Sequence, residues 1–558
     1  MDTRSRRQSV RLPRRRRDLL VGLAILSVLG ACSSDADWAG PRTGAGAADV
    51  EGSDAEGADG RTIDAASLDA ALGLLDADVT EVMERSGVPG LAVAVVHDGQ
   101  VVFAEGYGVR ELGRPEPVDA DTVFQLASLS KPVGSAVMAS MVGDGVISWD
   151  EPVRSGNPDF TLSDPWVSEH VTFADLYAHR SGLPGHIGDV LEDVGYDRSE
   201  VIGQLRYVPL DAFRASYHYT NFGLTAAADA AATLDGTTWE QASADRLYEP
   251  LGMASTSSTF EEFMSRPNRA TGHVPVAEDS TEWRVSDEQR EPDAQSPAGG
   301  VSSSVNDLAR WMQLEIDGGS YDGEQLIDAD AIGETHVPQI VSRAPSGPND
   351  RAGFYGLGFN VSYDAAGRVR LGHSGAFALG AGTAFAMYPG EELGIVVLTN
   401  GAPLGIAEAV VETFMDRATI GAPSRDWLEF VHDYFAPMVF PEAATDFDTP
   451  PTDAAPAAPL SEYVGSYRND FLGLVEVVEE DGQLVAVVGP DRMPFTLEHY
   501  DGDEFSWQFV GENAGARSAV VFASTAEGPA SAVTLETFAR DGEGDVVGDG
   551  ELGRLERV

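Results

Sequence analysis

The apolar positions change period several times along the chain, and each change marks an element. From Ile63 to Gly87 they recur at helical spacing, with Leu68, Leu72, Leu75, Val79 and Val82 near one face. LAVAVVHDGQVVFAEGYGV (91–109) reads as two strands joined at Asp98-Gly99, a dipeptide that favours the tight turn of a hairpin. Thr172 to Met253 is mainly helical with long loops. Strand signals return in YGLGFNVSY (355–363), VRLGHSG (369–375), GTAFAMYP (382–389) and LGIVVLTN (393–400), and the helical run APLGIAEAVVETFMDRATI (402–420) follows them. Strands at both ends of one region, with helices between, predict an α/β domain over 63–422. It would hold an antiparallel sheet flanked by helices, plus a helical subdomain. Residues 423–460 read as a helix (SRDWLEFVHDYFAPMVF) and a Pro/Ala/Asp linker. From 461 to 558 short alternating runs recur: LGLVEVVEE, GQLVAVVG, MPFTLEHY, EFSWQFV, SAVVFAST and AVTLETFA. They predict a small all-β barrel or sandwich.

The chain begins differently. Arg14 to Arg17 precede Leu19 to Ala31, a 13-residue apolar run ending in Leu29-Gly30-Ala31-Cys32. That run is too short to span a bilayer core of ~30 Å as a helix, but it suits the apolar region of an export signal. Small residues ahead of the only Cys in the chain resemble the lipobox of bacterial lipoproteins. Residues 1–32 are therefore read as a signal peptide with Cys32 as the lipidation site, which predicts a cell-envelope protein anchored to membrane. Arg16-Arg17 also resembles a twin-arginine signal, so both export routes stay open. Residues 33–62 are acidic, rich in Gly and Ala, and nearly free of large apolar groups, as a flexible tether would be.

Charge narrows the partners. The formal charge is −53, and eight Arg against two acids lie ahead of Cys32, so the remainder holds 29 basic and 88 acidic residues. Such a surface repels nucleic acid. With one Cys there is no intrachain disulfide and no thiolate metal site. No cofactor pattern is present.

One basic residue stands apart. Lys131 is the only lysine among 37 basic residues, and it lies in Ser128-Leu129-Ser130-Lys131. On a helix, positions i and i+3 share a face, so this hydroxyl and amine can meet. Pro132 fits only an early turn, where its missing N–H costs little. A buried lysine can lose its proton near neutrality, whereas a guanidinium cannot. Two further clusters follow: Tyr219-Thr220-Asn221 ahead of a helical run, and His373-Ser374-Gly375 on a strand. Other candidates fit less well. Gly372 to Ala376 lacks the final glycine of the G-x-S-x-G elbow. His179, His186 and Asp189 match no metal-ligand spacing, and Tyr217 lacks the Asn at +2 that Tyr219 has.

Ser-x-x-Lys, Tyr-x-Asn and His-x-Gly in this order resemble the serine β-lactamase and penicillin-binding protein superfamily, nearest the class C β-lactamase, DD-carboxypeptidase, D-aminopeptidase and esterase branch. HRSGLPG (179–185), YEPLGM (248–253), PAGGVSSSVNDLARW (297–311) and YGLGF (355–359) add to the resemblance, which spans roughly residues 70–422. It implies Ser128 as the acylated nucleophile and Lys131 and Tyr219 as its proton-transfer partners, with the choice of base open. It implies Asn221 as a partner of Lys131 and of a substrate amide. The substrate and oxyanion positions would be His373, Ser374, Gly375 and Ala376, with the backbone N–H groups of Ser128 and Ala376 forming the oxyanion hole. Family β-lactamases usually begin the third motif with Lys, so His373 favours peptidase and esterase chemistry. The C-terminal region resembles the lipocalin-like domain appended to some members. The substrates implied are small amides, esters or D-amino-acid peptides, without metal or cofactor. A β-lactamase or weak penicillin-binding protein, and a non-catalytic envelope scaffold, stay open as alternatives, as does self-association.

Overall fold

The computed structural model describes residues 63–558 apart from 279, 349, 442–444 and 525–527. The leader, Cys32 and the tether lie outside the described residues.

The first helix runs Ala65–Ser86, capped by Asp64 accepting from Ala66 N and closed by Gly87 at φ 71°. It buries Leu68, Ala71, Leu75, Val79 and Val82, while Leu72 is only half-buried. The hairpin forms where Asp98-Gly99 predicts it, both residues adopting positive φ, between strands Gly90–His97 and Gln100–Gly108. These two strands edge an eight-stranded antiparallel sheet. Next to Gly90–His97 comes Leu393–Thr399, followed in order by Ala381–Tyr388, Val369–Phe377, Asn360–Tyr363, Gly353–Tyr355 and Ile340–Arg343.

Strand alternation divides the core in two. Leu91, Val93 and Val95 face the helices Ala65–Ser86, Ile406–Ile420 and Trp427–Val439. Ala92, Ala94 and Val96 face the opposite side, with the helices Ser130–Gly143 and Val305–Ile316 and the helical subdomain. Gly90–His97 and Leu393–Thr399 are therefore covered on both faces, which is why they read as unbroken apolar runs. The Arg417 guanidinium donates two 2.7 Å bonds to Asp78, tying the first helix to the one that covers the sheet. Trp427, Leu428, Val431 and Phe435 seat the helix expected in the 423–460 segment against this layer, each such side chain contributing roughly 1.5–3 kcal/mol by burial.

The C-terminal domain is a closed antiparallel barrel of eight strands, from Gly465–Asn469 to Arg554–Arg557. The sequence pattern shows six of them. The strands that close the barrel were missed for a simple reason. Arg554-Leu555-Glu556-Arg557 buries only Leu555 and presents charge outward, so it carries almost no apolar signal. AVTLETFA also differs, since its second half turns into the short helix Glu536–Ala539.

The barrel docks on the helical subdomain. One apolar cluster contains Leu191 and Val194 of the first domain together with Phe471, Phe495 and Phe509 of the barrel. Gly542 N donates to Gly185 O at 2.9 Å, and the Tyr196 hydroxyl donates to Leu472 O. Gly489 lies at φ 74°, where a Cβ would collide with Val194 O. Gly489→Ala is therefore expected to weaken docking by about 2–4 kcal/mol, combining positive-φ strain with the clash. Calorimetry should show the barrel melting earlier than the first domain; an unchanged thermogram would refute this contact as a determinant.

Candidate active site

Ser128 sits in a 3₁₀ turn, Ala127–Leu129, that leads into the helix Ser130–Gly143. The helix starts two residues later than the sequence suggests, and in the extra turn Ser128 is partly exposed. Ala127 ahead of it has φ 49°, a conformation that costs a non-glycine residue on the order of 1 kcal/mol. The surroundings hold that strain in place. Leu126 N donates to Val301 O at 2.9 Å, and the Thr383 hydroxyl donates to Leu126 O at 2.8 Å. Ser130 Oγ donates to Ala127 O at 2.6 Å and accepts from Val301 N at 2.9 Å.

Lys131 is fully buried. Its Nζ donates to Ser128 Oγ at 3.1 Å, Asn221 Oδ1 at 2.7 Å and Ala298 O at 2.9 Å. An ammonium has three donors, so all are satisfied. Burial pushes the Lys131 amine well below its usual range, with the charge of Asp189 opposing.

Tyr219 precedes the extended N-cap Thr220 of the helix Asn221–Asp235, and its carbonyl accepts from His186 N at 2.7 Å. Lys131 Nζ lies 4.4 Å from the centre of its ring. Burial drives the Tyr219 phenol well above its usual range, with Ser128 opposing. Its hydroxyl faces Ser128 without a well-directed hydrogen bond. Asn221 donates from Nδ2 to Asp189 Oδ2 at 2.7 Å, so its amide joins Lys131 to a buried carboxylate.

The strand Val369–Phe377 completes the site, and its alternation separates the third motif. The His373 ring is buried on the Lys131 side, with Nε2 2.9 Å from Tyr355 Oη and Nδ1 2.7 Å from Ser374 O. A carbonyl can only accept, so Nδ1 carries the proton and Nε2 accepts from the tyrosine. Burial, reinforced by Lys131 and opposed by the Ser374 carbonyl, lowers the His373 pKa to about 3. The imidazole is neutral at physiological pH.

Ser374 corrects the sequence reading. Its side chain points to the opposite face, where burial pushes Glu408 up to about 7 and the hydrogen bond from Ser374 opposes that rise. It does not line the substrate side. At Gly375, a Cβ would collide with Leu126 O and Thr383 Oγ1 and lie 3.1 Å from Ser128 N. The glycine is thus required first by the turn that packs on it. Ala376 follows, level with Gly382 on the neighbouring strand.

His179 stays on the structural side. Its Nδ1 accepts from Thr220 N at 3.2 Å, and its ring packs on Tyr219 at 4.4 Å. His186 donates to Asp189 at 3.0 Å. The sequence reading missed a contribution from the barrel. Glu512 accepts from Ala378 N at 2.6 Å and Leu379 N at 3.3 Å, just beyond the catalytic strand. Asn513 donates to Asp193 Oδ2 at 2.8 Å and Asp189 O at 3.3 Å. No local signal in GENAG marks these residues, because their role depends on how two domains meet. A solvent-open cleft of about 1370 Å³ lies between them, lined by Glu192, Tyr196, Arg290, Leu379, Met493 and Glu512 among others.

A model of the family described as Beta-lactamase matches residues 75–414. The model described as Domain of unknown function (DUF3471) matches residues 449–546. Relatives include the Unguisins hydrolase ungD of Aspergillus violaceofuscus, 27% identical over 475 residues, which span 78% of this chain and 82% of that protein. The D-alanyl-D-alanine-carboxypeptidase/endopeptidase AmpH of Escherichia coli (strain K12) is 25% identical over 343 residues, covering 60% of this chain and 85% of that protein. The D-aminopeptidase of Brucella anthropi is 26% identical over 316 residues, 54% of each chain. Among solved structures, the octameric penicillin-binding protein homologue from Pyrococcus abyssi shares the fold. It aligns with a TM-score of 0.54 at 20% identity, covering 83% of this chain and 98% of that one.

The neutral His373 has a measurable consequence. Its folded-state pKa of about 3 lies below the ordinary value of 6.5, so the unfolded chain binds a proton first as pH falls. Its contribution to stability is complete above pH 6.5 and is lost progressively below it. Between pH 7 and 4.5 the wild type should lose about 2–3 kcal/mol more than His373→Asn in urea unfolding. Equal pH slopes would refute the burial of a neutral imidazole here.

Proposed function

The chain belongs to the β-lactamase family of serine hydrolases, and from that premise we propose that it cleaves small amides or esters through an acyl-enzyme on Ser128. The observation that carries the reading is the fully buried Lys131 amine in contact with Ser128 Oγ at 3.1 Å. When neutral, that amine accepts the serine proton as Oγ attacks the substrate carbonyl. The backbone N–H groups of Ser128 and Ala376 receive the developing oxyanion. Tyr219, over whose ring the Lys131 amine lies, passes the proton to the leaving group, and water then attacks the ester with the proton movements reversed.

Substrate preference follows from His373. A neutral imidazole bonded to Tyr355 offers no cation to a substrate carboxylate, which favours peptidase or esterase chemistry over efficient β-lactam hydrolysis. The relatives named for hydrolase and D-aminopeptidase activity support small peptide amides, including D-amino-acid ones, as the first substrates to try. We further propose that the protein works outside the cytoplasm, tethered through Cys32. That part rests on the leader pattern alone.

Labelling with a fluorophosphonate or a fluorescent penicillin should modify the wild type and fail with Ser128→Ala; equal labelling of both would overturn the assignment. Lys131→Met keeps the length of the side chain and removes the amine. Its turnover on p-nitrophenyl esters or D-amino-acid amides should drop about 10²–10⁴-fold, and near-normal turnover would remove Lys131 from the mechanism.

A further inference from the structure

Behind Lys131 lies a carboxylate that the acylation scheme does not use. Asp189 is buried, and its Oδ2 accepts from Asn221 Nδ2 at 2.7 Å and from His186 Nδ1 at 3.0 Å. Its Oδ1 is buried with no hydrogen-bond partner. Leaving a carboxylate oxygen unpaired inside a protein is costly. An asparagine would offer Asn221 the same acceptor without a buried charge, so a brace between the short helix Asp189–Glu192 and the helix Asn221–Asp235 does not explain the charge at this position.

We propose that Asp189 is a positioning residue that fixes the Asn221 amide and, through it, sets the Lys131 amine against Ser128 with a formal negative charge behind it. The inference rests on the serine hydrolase reading above. The chain of contacts runs Asp189 Oδ2, Asn221 Nδ2, Asn221 Oδ1, Lys131 Nζ, Ser128 Oγ, with links of 2.7, 2.7 and 3.1 Å across the three contacts. Asn221 is thereby held with its carbonyl, not its NH₂, toward the amine.

The other groups around Lys131 carry no negative charge. Ala298 offers a carbonyl and Tyr219 the face of a neutral ring. His179 and His373 are both held neutral, burial being the main cause and Lys131 itself adding to it. His186 touches Asp189 and would offset its charge if protonated. Asp189 therefore keeps the amine from being stripped of its proton too readily, opposing the effect of burial. The barrel steadies this segment from outside, since Asn513 Nδ2 donates to Asp189 O at 3.3 Å.

The single lysine makes a direct test possible. Full-length protein grown with ε-¹³C-lysine gives one side-chain resonance, that of Lys131. Its titration midpoint should fall by about one pH unit in Asp189→Asn, and the acid limb of kcat/KM should move down with it. An unmoved midpoint in the folded variant would overturn the proposal. Asp189→Ser, smaller but still able to accept from Asn221, makes the same prediction should the isostere fail to fold. Asp189→Ala removes the acceptor as well, so kcat should fall at least tenfold further than in Asp189→Asn with KM little changed; an equal loss in both would reduce Asp189 to packing. A wild-type midpoint near the ordinary lysine value of ~10.4 would instead defeat the hydrolase mechanism itself, which keeps the two failures apart.

Discussion

The structure turns on the burial of one ammonium group. Moving a lysine head out of water costs several kcal/mol even after the protein relaxes, and the cost is met only where its donors all find acceptors. Three separate segments supply them here: the turn bearing Ser128, the helix that starts at Asn221, and the carbonyl of Ala298. Each must arrive in register, which fixes how the helical subdomain sits on the sheet. Even the approach of the segment at Gly358 is set by this site, since a Cβ there would lie 3.0 Å from Lys131 O. The same desolvation that makes the amine expensive makes it a usable base, so stability and chemistry draw on one arrangement.

Strand alternation does the rest of the sorting. Because successive side chains leave opposite faces of Val369–Phe377, His373 and Gly375 go toward Ser128 while Ser374 goes behind, to Glu408. The imidazole stays neutral because burial and the nearby amine both disfavour its proton. The site therefore holds a buried, polar but uncharged ring beside Lys131.

The barrel takes part in the same site. Its segment around Glu512 and Asn513 reaches the amides just beyond the strand Val369–Phe377 and the short helix Asp189–Glu192. Several carboxylates crowd there around Arg290, which pairs with Glu192 and lies 4.0 Å from Asp193. Burial raises Glu192, Asp193 and Glu512 above the usual carboxylate range, with Arg290 opposing in each case. In a chain of net charge −53, one buried arginine paired with two acids of its own domain, with the charge of Glu512 from the barrel nearby, is a strong constraint on how the domains meet.

Much of this was legible in the residues themselves. Helical spacing located the helix Ala65–Ser86, Asp98-Gly99 located the hairpin, and the spacing of Ser128 and Lys131 required a shared helical face, because these signals are local and periodic. A lone lysine among 37 basic residues marked the position whose amine the structure buries against Ser128. The sequence did not locate the strand Arg554–Arg557, whose charged exterior hides its register, or the orientation of Ser374, or the roles of Tyr355, Asp189 and Glu512. Those depend on contacts between segments far apart in the chain: 18 residues from Tyr355 to His373, 32 from Asp189 to Asn221, 134 from Glu512 to Ala378. The sequence determined which chemical groups were available and which local elements carried them. Only the tertiary packing decided which face each group points to, how far it is removed from water, and so which proton it holds.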